Sequence, residues 1–260
     1  MKVYVSNFWS PKKGNSQAEY EDAHYPPHPS TDVSGARLRF AVADGATEGS
    51  FSRQWAERLT EAYCRASSTE PQRVYERALN RWQRWLGEYM DSRAQAGRPL
   101  LWFEEAKLNQ GAFSTLLGVS FRSQPRKASH EGRWSAVAVG DSCLFQLRDE
   151  RVLRAFPIED SGDFGIVPDL VTTRSNGQEM IAHSARKVWG PWQSGDTFFL
   201  ATDALSCWFL SSRERGDEPW KILRDLNTEA QPPFEEWMAS LRQEGVVRND
   251  DVTLTRIDVL

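Results

Sequence analysis

Hydrophobic positions along this chain change their period several times, and each change marks a new element. The chain opens on KVYVSNF, where β-branched and aromatic residues alternate with polar ones as on a half-buried strand. A polar, proline-rich stretch around HYPPHPS reads as loop, and ARLRFAVA, residues 36–43, as a second strand. Two helices follow. In SFSRQWAERLTEAYCRAS the apolar face runs through Trp55, Leu59, Ala62 and Tyr63. In EPQRVYERALNRWQRWLGEYM it runs through Tyr75, Ala78, Leu79, Trp82, Trp85, Leu86 and Tyr89, at helical spacing. An aromatic stripe of this kind is core packing.

From residue 111 the texture turns to strands. GAFSTLLGVSF and RWSAVAVGDS flank a polar tip as a hairpin, and CLFQLRDERVLRAF predicts another, turning at Asp149-Glu150. Residues 157–187 are weakly patterned and read as a long irregular segment, the kind that serves function in a compact domain. DTFFLATD is a buried strand, ALSCWFLSS a short helix, two more helices run to about residue 244, and DDVTLTRIDV closes as a strand. With no repeat, low-complexity tract or linker, residues 1–260 are expected to form a single domain. The class is α+β, with antiparallel strands and helix pairs segregated onto the outside.

Composition narrows the function classes. A net charge of -4 gives no electrostatic reason to expect nucleic acid or an anionic membrane as partner. The basic stretch between Arg122 and Arg133 reads as a solvated hairpin tip. No apolar run approaches the ~18 residues of a membrane span, and the N-terminus lacks the apolar region of a signal peptide. Three scattered cysteines, Cys64, Cys143 and Cys207, point to reduced thiols and a cytoplasmic protein. The 11 tryptophans are read as mostly core. His24, His28, His130 and His183 show no metal spacing and read as surface residues. No GxSxG elbow is present, and the four residues between Cys143 and Arg148 are one too few for a cysteine phosphatase loop.

The candidate chemistry lies in acids at strand ends. Asp44 ends RLRFAVA, Asp141 ends WSAVAVG, and Asp203 ends TFFLAT. Asp250 and Asp251 begin VTLTRIDV, and Glu21-Asp22 precede the short stretch AHY. In an antiparallel sheet the end of one strand lies beside the start of its neighbour, so these carboxylates can share one edge. Such a cluster repels itself and calls for cations. With oxygen donors alone, the suited ions are hard ones, Mg²⁺ or Mn²⁺. A pair of them binds a phosphoryl oxygen and acidifies water, giving an in-line nucleophile. Gly45, lacking a side chain, lets its backbone carbonyl approach a metal.

The segments VADGATEG, GAFSTLLGV, VAVGDS, LATDAL and DDVTL occur in the order and rough spacing of the PPM-type, or protein phosphatase 2C, metal-dependent Ser/Thr phosphatases. YEDAH resembles the family's first acidic motif, and the resemblance runs from about residue 16 to 260, closest to compact bacterial members. It implies an αββα sandwich, two face-to-face antiparallel sheets with helices outside. It implies that Asp44 bridges two Mn²⁺ or Mg²⁺ ions, that Asp203 and Asp250 hold the first, and that the Gly45 carbonyl, Glu21 and Asp22 serve the second. The implied substrate is a phosphoserine or phosphothreonine protein, the target of a Ser/Thr kinase, and the implied enzyme a monomer. Three positions depart from the family pattern. Gln17 stands where a phosphate-gripping Arg is common, leaving Lys12 or Lys13 as candidate substitutes. Cys207 stands where a third-metal Asp is frequent, so an ion on Asp141 and Asp203 is expected to bind weakly or not at all. Ala46 replaces a His of some eukaryotic members. These departures support an alternative, a catalytically weak module of the same fold that binds a phosphoprotein or signalling partner.

Overall fold

The computed structural model describes residues 1–46, 51–98, 100–124, 131–165, 168–227 and 231–260. Strand β1 (Lys2–Ser10) is followed by β2 (Ala23–Tyr25), β3 (Ser30–Ser34) and β4 (Arg37–Ala43). Helices α1 (Ser52–Arg65), α2 (Pro71–Gln95) and α3 (Trp102–Asn109) come next, then β5 (Phe113–Ser114), β6 (Leu116–Ser123), β7 (Gly132–Val139), β8 (Cys143–Arg148) and β9 (Arg151–Phe156). After β10 (Val171–Thr172) come α4 (Gly177–Ser184), β11 (Arg186–Trp192) and β12 (Thr197–Ala201). Helices α5 (Asp203–Glu214), α6 (Pro219–Asp225) and α7 (Gln231–Gln243) precede the last strand, β13 (Val252–Val259).

One sheet runs β3-β1-β13-β12-β8-β9, the other β11-β7-β6-β4-β2, and β10 pairs with β5. Alternation along each strand sends successive side chains into different layers. Phe198 and Leu200 of β12 join Phe40, Val42, Val119, Phe121 and Trp134 of the opposite sheet in the interior between the sheets. Their neighbours Phe199 and Ala201 face outward onto Leu205, Phe209, Trp220 and Phe234 of α5, α6 and α7. On the other side, Trp55, Leu59, Tyr75 and Trp82 of α1 and α2 cover Ala41, Leu116 and Val137. The result is four layers, helix–sheet–sheet–helix, as the sequence pattern and the resemblance lead one to expect. The aromatic stripe is core: Trp55 is wholly buried and its Nε1 donates to the Val171 carbonyl at 2.8 Å. The two sheets are also tied by polar atoms. Trp134 Nε1 donates to Gln146 Oε1 at 3.0 Å, and Gln146 Nε2 donates to the Pro191 carbonyl of β11 at 2.9 Å.

The β8–β9 hairpin turns at Asp149 and Glu150, with φ of 47° and 59°, the pair of left-handed residues that a two-residue turn of matching twist requires. Three expectations need correction. Residues 157–187 are not irregular throughout, since they contain β10 and α4 and the start of β11. The stretch between β1 and β4 holds two short strands, and α3 lies in a stretch for which the hydrophobic pattern predicts no element. The tip of the β6–β7 hairpin, residues 125–130 with His130, lies outside the described residues, as do Thr47, Glu48 and Gly49 of the VADGATEG segment. Among the described residues no helix is long and apolar enough to cross a membrane.

Candidate metal centre

The site is built where four strand ends meet. β4 and β7 both pair antiparallel with β6, so they run in the same direction and end at the same edge of their sheet. In the facing sheet β12 ends beside the start of β13, with Ala201 opposite Leu254. Asp44, Asp141, Asp203 and Asp250 follow or precede these four strands, and together they line one cleft of about 630 Å³.

Each carboxylate is held by its own local chemistry. The Asp44 backbone is fixed on both sides: its N–H donates to Thr115 Oγ1 at 2.9 Å, and its carbonyl accepts from Thr115 N and Ser114 Oγ, each at 2.8 Å. Asp141 follows Gly140, whose φ of +99° makes the sharp turn out of β7; a Cβ there would lie 2.6 Å from Thr115 Cγ2. Asp203 opens α5, and its Oδ1 accepts from the Ala204 N–H at 2.6 Å, within the electropositive first turn of that helix. Asp250 accepts from the Asp251 N–H at 2.9 Å, while its carbonyl takes a bond from Arg242 Nη2 at 2.7 Å.

Asp22 stands behind Asp44, buried. Its Oδ2 accepts from Thr253 Oγ1 at 2.7 Å and Thr202 Oγ1 at 3.0 Å, and its Oδ1 has no partner among the described residues. Asp141 Oδ1 is likewise buried and unpartnered. Glu21 is placed differently from the acids of the cleft. Its carboxylate pairs with Lys12 Nζ at 3.6 Å, whereas its backbone carbonyl presses on Gly45, where a Cβ would lie only 2.5 Å away. The missing side chain at position 45 thus lets two backbone segments meet. Asp251, flagged in sequence only as an acid at a strand start, is the clamp for that segment: its two oxygens accept from Lys12 N at 2.8 Å and Glu21 N at 2.7 Å.

Burial and mutual repulsion set the electrostatics. Asp44 is pushed well above the usual carboxylate range by burial first, and then by Asp22, Asp203, Asp250 and Asp141. Burial likewise raises Asp22 and Asp141, and it raises Asp203, with help from Asp141, to about 7. Opposing this is Arg248, whose Nη2 donates to Asp203 Oδ2 at 2.7 Å. Sequence reasoning passed Arg248 over. The one available signal was its place two residues before Asp250 in a turn-rich connection. Thr115, Thr202 and Thr253 were also missed, because a lone Thr in a strand carries no functional pattern.

The candidate substitutes for a phosphate-binding Arg do not reach this cleft. Lys12 and Lys13 do not line it; the Lys13 N–H is tied to Asn249 Oδ1 at 2.7 Å. Gln17 lines a separate cavity of about 710 Å³ together with Asp22, His24 and Arg53. His24, expected at the surface, is half-buried and stacked on Trp9, and burial lowers its pKa. His28 and His183 are exposed as expected. Cys64, Cys143 and Cys207 are free thiols.

The donor set suits a hard divalent cation: it is all oxygen, partly orphaned in a buried setting, and its excess negative charge is unbalanced by the single Arg248 contact. Among the described residues no three His, Cys, Asp or Glu side chains close on a single point. The four carboxylates Asp44, Asp141, Asp203 and Asp250 are instead distributed along the wall of the cleft.

A family model described as protein phosphatase 2C matches residues 14–253. No curated protein matches the chain in sequence. Solved structures are similar over the full length. The photosystem II phosphatase PBCP is 12% identical with a TM-score of 0.56, each chain covered to 99%. The catalytic domain of the serine/threonine phosphatase PstP, in complex with 2 manganese ions, is 16% identical with a TM-score of 0.52 and complete coverage of both chains. A serine/threonine phosphatase of S. agalactiae is 10% identical with a TM-score of 0.55, covering 99% of this chain and 100% of that one. At these identities the likeness is one of fold.

Proposed function

The chain belongs to the protein phosphatase 2C family of metal-dependent protein serine/threonine phosphatases, and from that premise we propose that it hydrolyses phosphoserine and phosphothreonine in a protein substrate by means of two Mn²⁺ or Mg²⁺ ions held in the acid cleft. The observation that carries the reading is the convergence of Asp44, Asp141, Asp203 and Asp250, from four separate strand ends, on one cleft. That PstP has been seen with 2 manganese ions supports the choice and number of ions.

Asp44 sits amid the other acids and would be the group shared between two ions. Asp203 and Asp250 would hold the first ion. The Gly45 carbonyl would serve the second, and Asp22 and Glu21, which do not line the cleft, would complete its shell from behind Asp44, at least one of them through water. Asp141 and Asp203 remain for a weak third ion, since Cys207 adds no oxygen donor. When bound, such ions polarise a phosphoryl oxygen and bring the pKa of water towards neutrality. The protein's own part is positional. Thr115 and Ser114 lock the Asp44 backbone, Thr202 and Thr253 orient Asp22, and Asp251 holds the Glu21-Asp22 segment against Gly45. A substrate phosphoserine would come from a Ser/Thr kinase.

Hydrolysis of p-nitrophenyl phosphate tests this directly, with Mn²⁺ and then with excess chelator. Turnover that needs Mn²⁺ and stops on chelation is the expected result. Mn²⁺ binding and phosphopeptide binding by calorimetry, both without turnover, would instead support the alternative, a phosphoprotein-binding module of the same fold, with which Gln17 and Cys207 are in keeping.

A further inference from the structure

We propose that Arg248 binds the phosphate group of the substrate, a role that rests on the phosphatase reading of the same cleft. The cleft is rich in carboxylates, and a phosphate dianion entering it needs fixed positive charge from the protein. Among its described lining residues the cationic side chains are Arg186 and Arg248. Lys12, Lys13 and Gln17 are not among them.

Arg248 has the geometry for the task. One of its five side-chain N–H groups goes to Asp203 at 2.7 Å, and among the described residues that is the side chain's one hydrogen bond. The Arg248 side chain is 56% exposed while the Asp203 side chain is 10% exposed, so the contact anchors one edge of the guanidinium and leaves the rest open. A planar fork held in this way presents paired donors matched to two phosphate oxygens. Its positive field also reaches Asp141 and Cys207, which places the charge at the Asp141–Asp203 end of the cleft.

The loop beneath it is pinned. Asn249 exchanges bonds with the Lys13 backbone at 2.7 and 3.3 Å, and Arg242 holds the Asp250 carbonyl at 2.7 Å. The backbone carrying Arg248 is therefore ordered before any substrate arrives, which limits the entropy lost on binding. Arg186 has its backbone in the β11–β7 ladder opposite Ala138, but its side chain is exposed, and among the described residues its guanidinium bonds only the Pro157 carbonyl, at 3.5 Å, with no carboxylate to orient it.

The test measures binding of inorganic phosphate by calorimetry in Mg²⁺, for the wild type, Arg248→Ala, Arg248→Lys and Arg186→Ala. Mn²⁺ binding is measured on the same proteins without phosphate, and KM and kcat with p-nitrophenyl phosphate. A charge-assisted contact is worth about 1.5–3 kcal/mol, so Arg248→Ala should weaken phosphate binding by roughly 10-fold to 150-fold. Arg248→Lys should lose less, Arg186→Ala nothing, and KM should rise further than kcat falls, with Mn²⁺ affinity retained. Unchanged phosphate affinity in Arg248→Ala would overturn the assignment, as would failure of the wild type to bind phosphate. A loss of Mn²⁺ affinity matching the loss of phosphate affinity would also overturn it, because Arg248 would then act only by holding Asp203. A wild type that binds phosphate but turns nothing over would defeat the phosphatase reading alone, and the calorimetry would still decide Arg248.

Discussion

Replacing Gly45 by Ala adds one methyl group at the joint of the cleft. That carbon would stand 2.5 Å from the Glu21 carbonyl oxygen and 3.0 Å from the Ser52 carbonyl carbon. Ordinary carbon–oxygen contacts lie at roughly 3.3 Å or more, an overlap of roughly 0.8 Å with Glu21 alone. Both obstacles are backbone, so neither can rotate away. The Glu21 segment is tethered through its N–H to Asp251 at 2.7 Å, and Ser52 begins α1. Overpacking of this kind costs about 1–3 kcal/mol. At about 2–4 °C per kcal/mol for a chain near this size, Tm should drop by roughly 2–12 °C. Because Glu21 and Asp22 must move away from Asp44, Mn²⁺ affinity should fall as well. Gly87→Ala supplies the comparison: it lies exposed in α2 with nothing within 4 Å of an added Cβ, and helix propensity should stabilise it by about 1 kcal/mol. Thermal scans and Mn²⁺ calorimetry on both variants read the result. A Gly45→Ala protein with wild-type Tm and wild-type Mn²⁺ affinity would refute the reasoning.

Asp203→Asn and Asp250→Asn should each keep the fold by circular dichroism yet lose at least about 100-fold in turnover at saturating Mn²⁺, an effect of the size found for other groups that stabilise a transition state electrostatically; wild-type kcat in either variant would remove that residue from the centre. Burial raises Asp203 from 3.8 to about 7, so between those values the folded chain keeps a proton that the unfolded chain has released. Chelator-treated protein should therefore lose stability as pH rises through that window, while Asp203→Asn gives a flatter profile across it; identical profiles from the two proteins would contradict the crowding argument. Arg256→Met should cost about 3 kcal/mol in urea melts, because Arg256 Nη1 serves the Leu223, Arg224 and Leu226 carbonyls at the end of α6; an unchanged midpoint would mean that water satisfies those carbonyls.

The order of elements was largely legible in the sequence because periodicity reports which face of a local segment is buried. α1 and α2 show their apolar stripes, β4 and β12 their apolar runs, and Asp149-Glu150 their turn, all within a few residues of chain. Elements with little to bury left no such trace. β11 is an edge strand with Arg186, Lys187 and Trp189 exposed, held by backbone pairing to β7, and β3 is a polar edge strand paired to β1. The acids at strand ends were likewise visible, since a carboxylate closing an apolar strand is a local anomaly.

Only the tertiary structure decided which of them meet and what holds them. Thr253 lies 231 residues from the Asp22 it orients, and Asp251 lies 239 from the Lys12 N–H it binds. Arg248 enters the cleft because the loop before β13 is clamped between Asn249 and Arg242, and the lysines of the N-terminal segment stay outside because Asp251 and Asn249 hold their backbone elsewhere. A pattern along the chain records burial one turn or one strand at a time. Contacts across the sandwich depend on sheet register and on which loops are pinned, and these emerge only when the two sheets pack face to face.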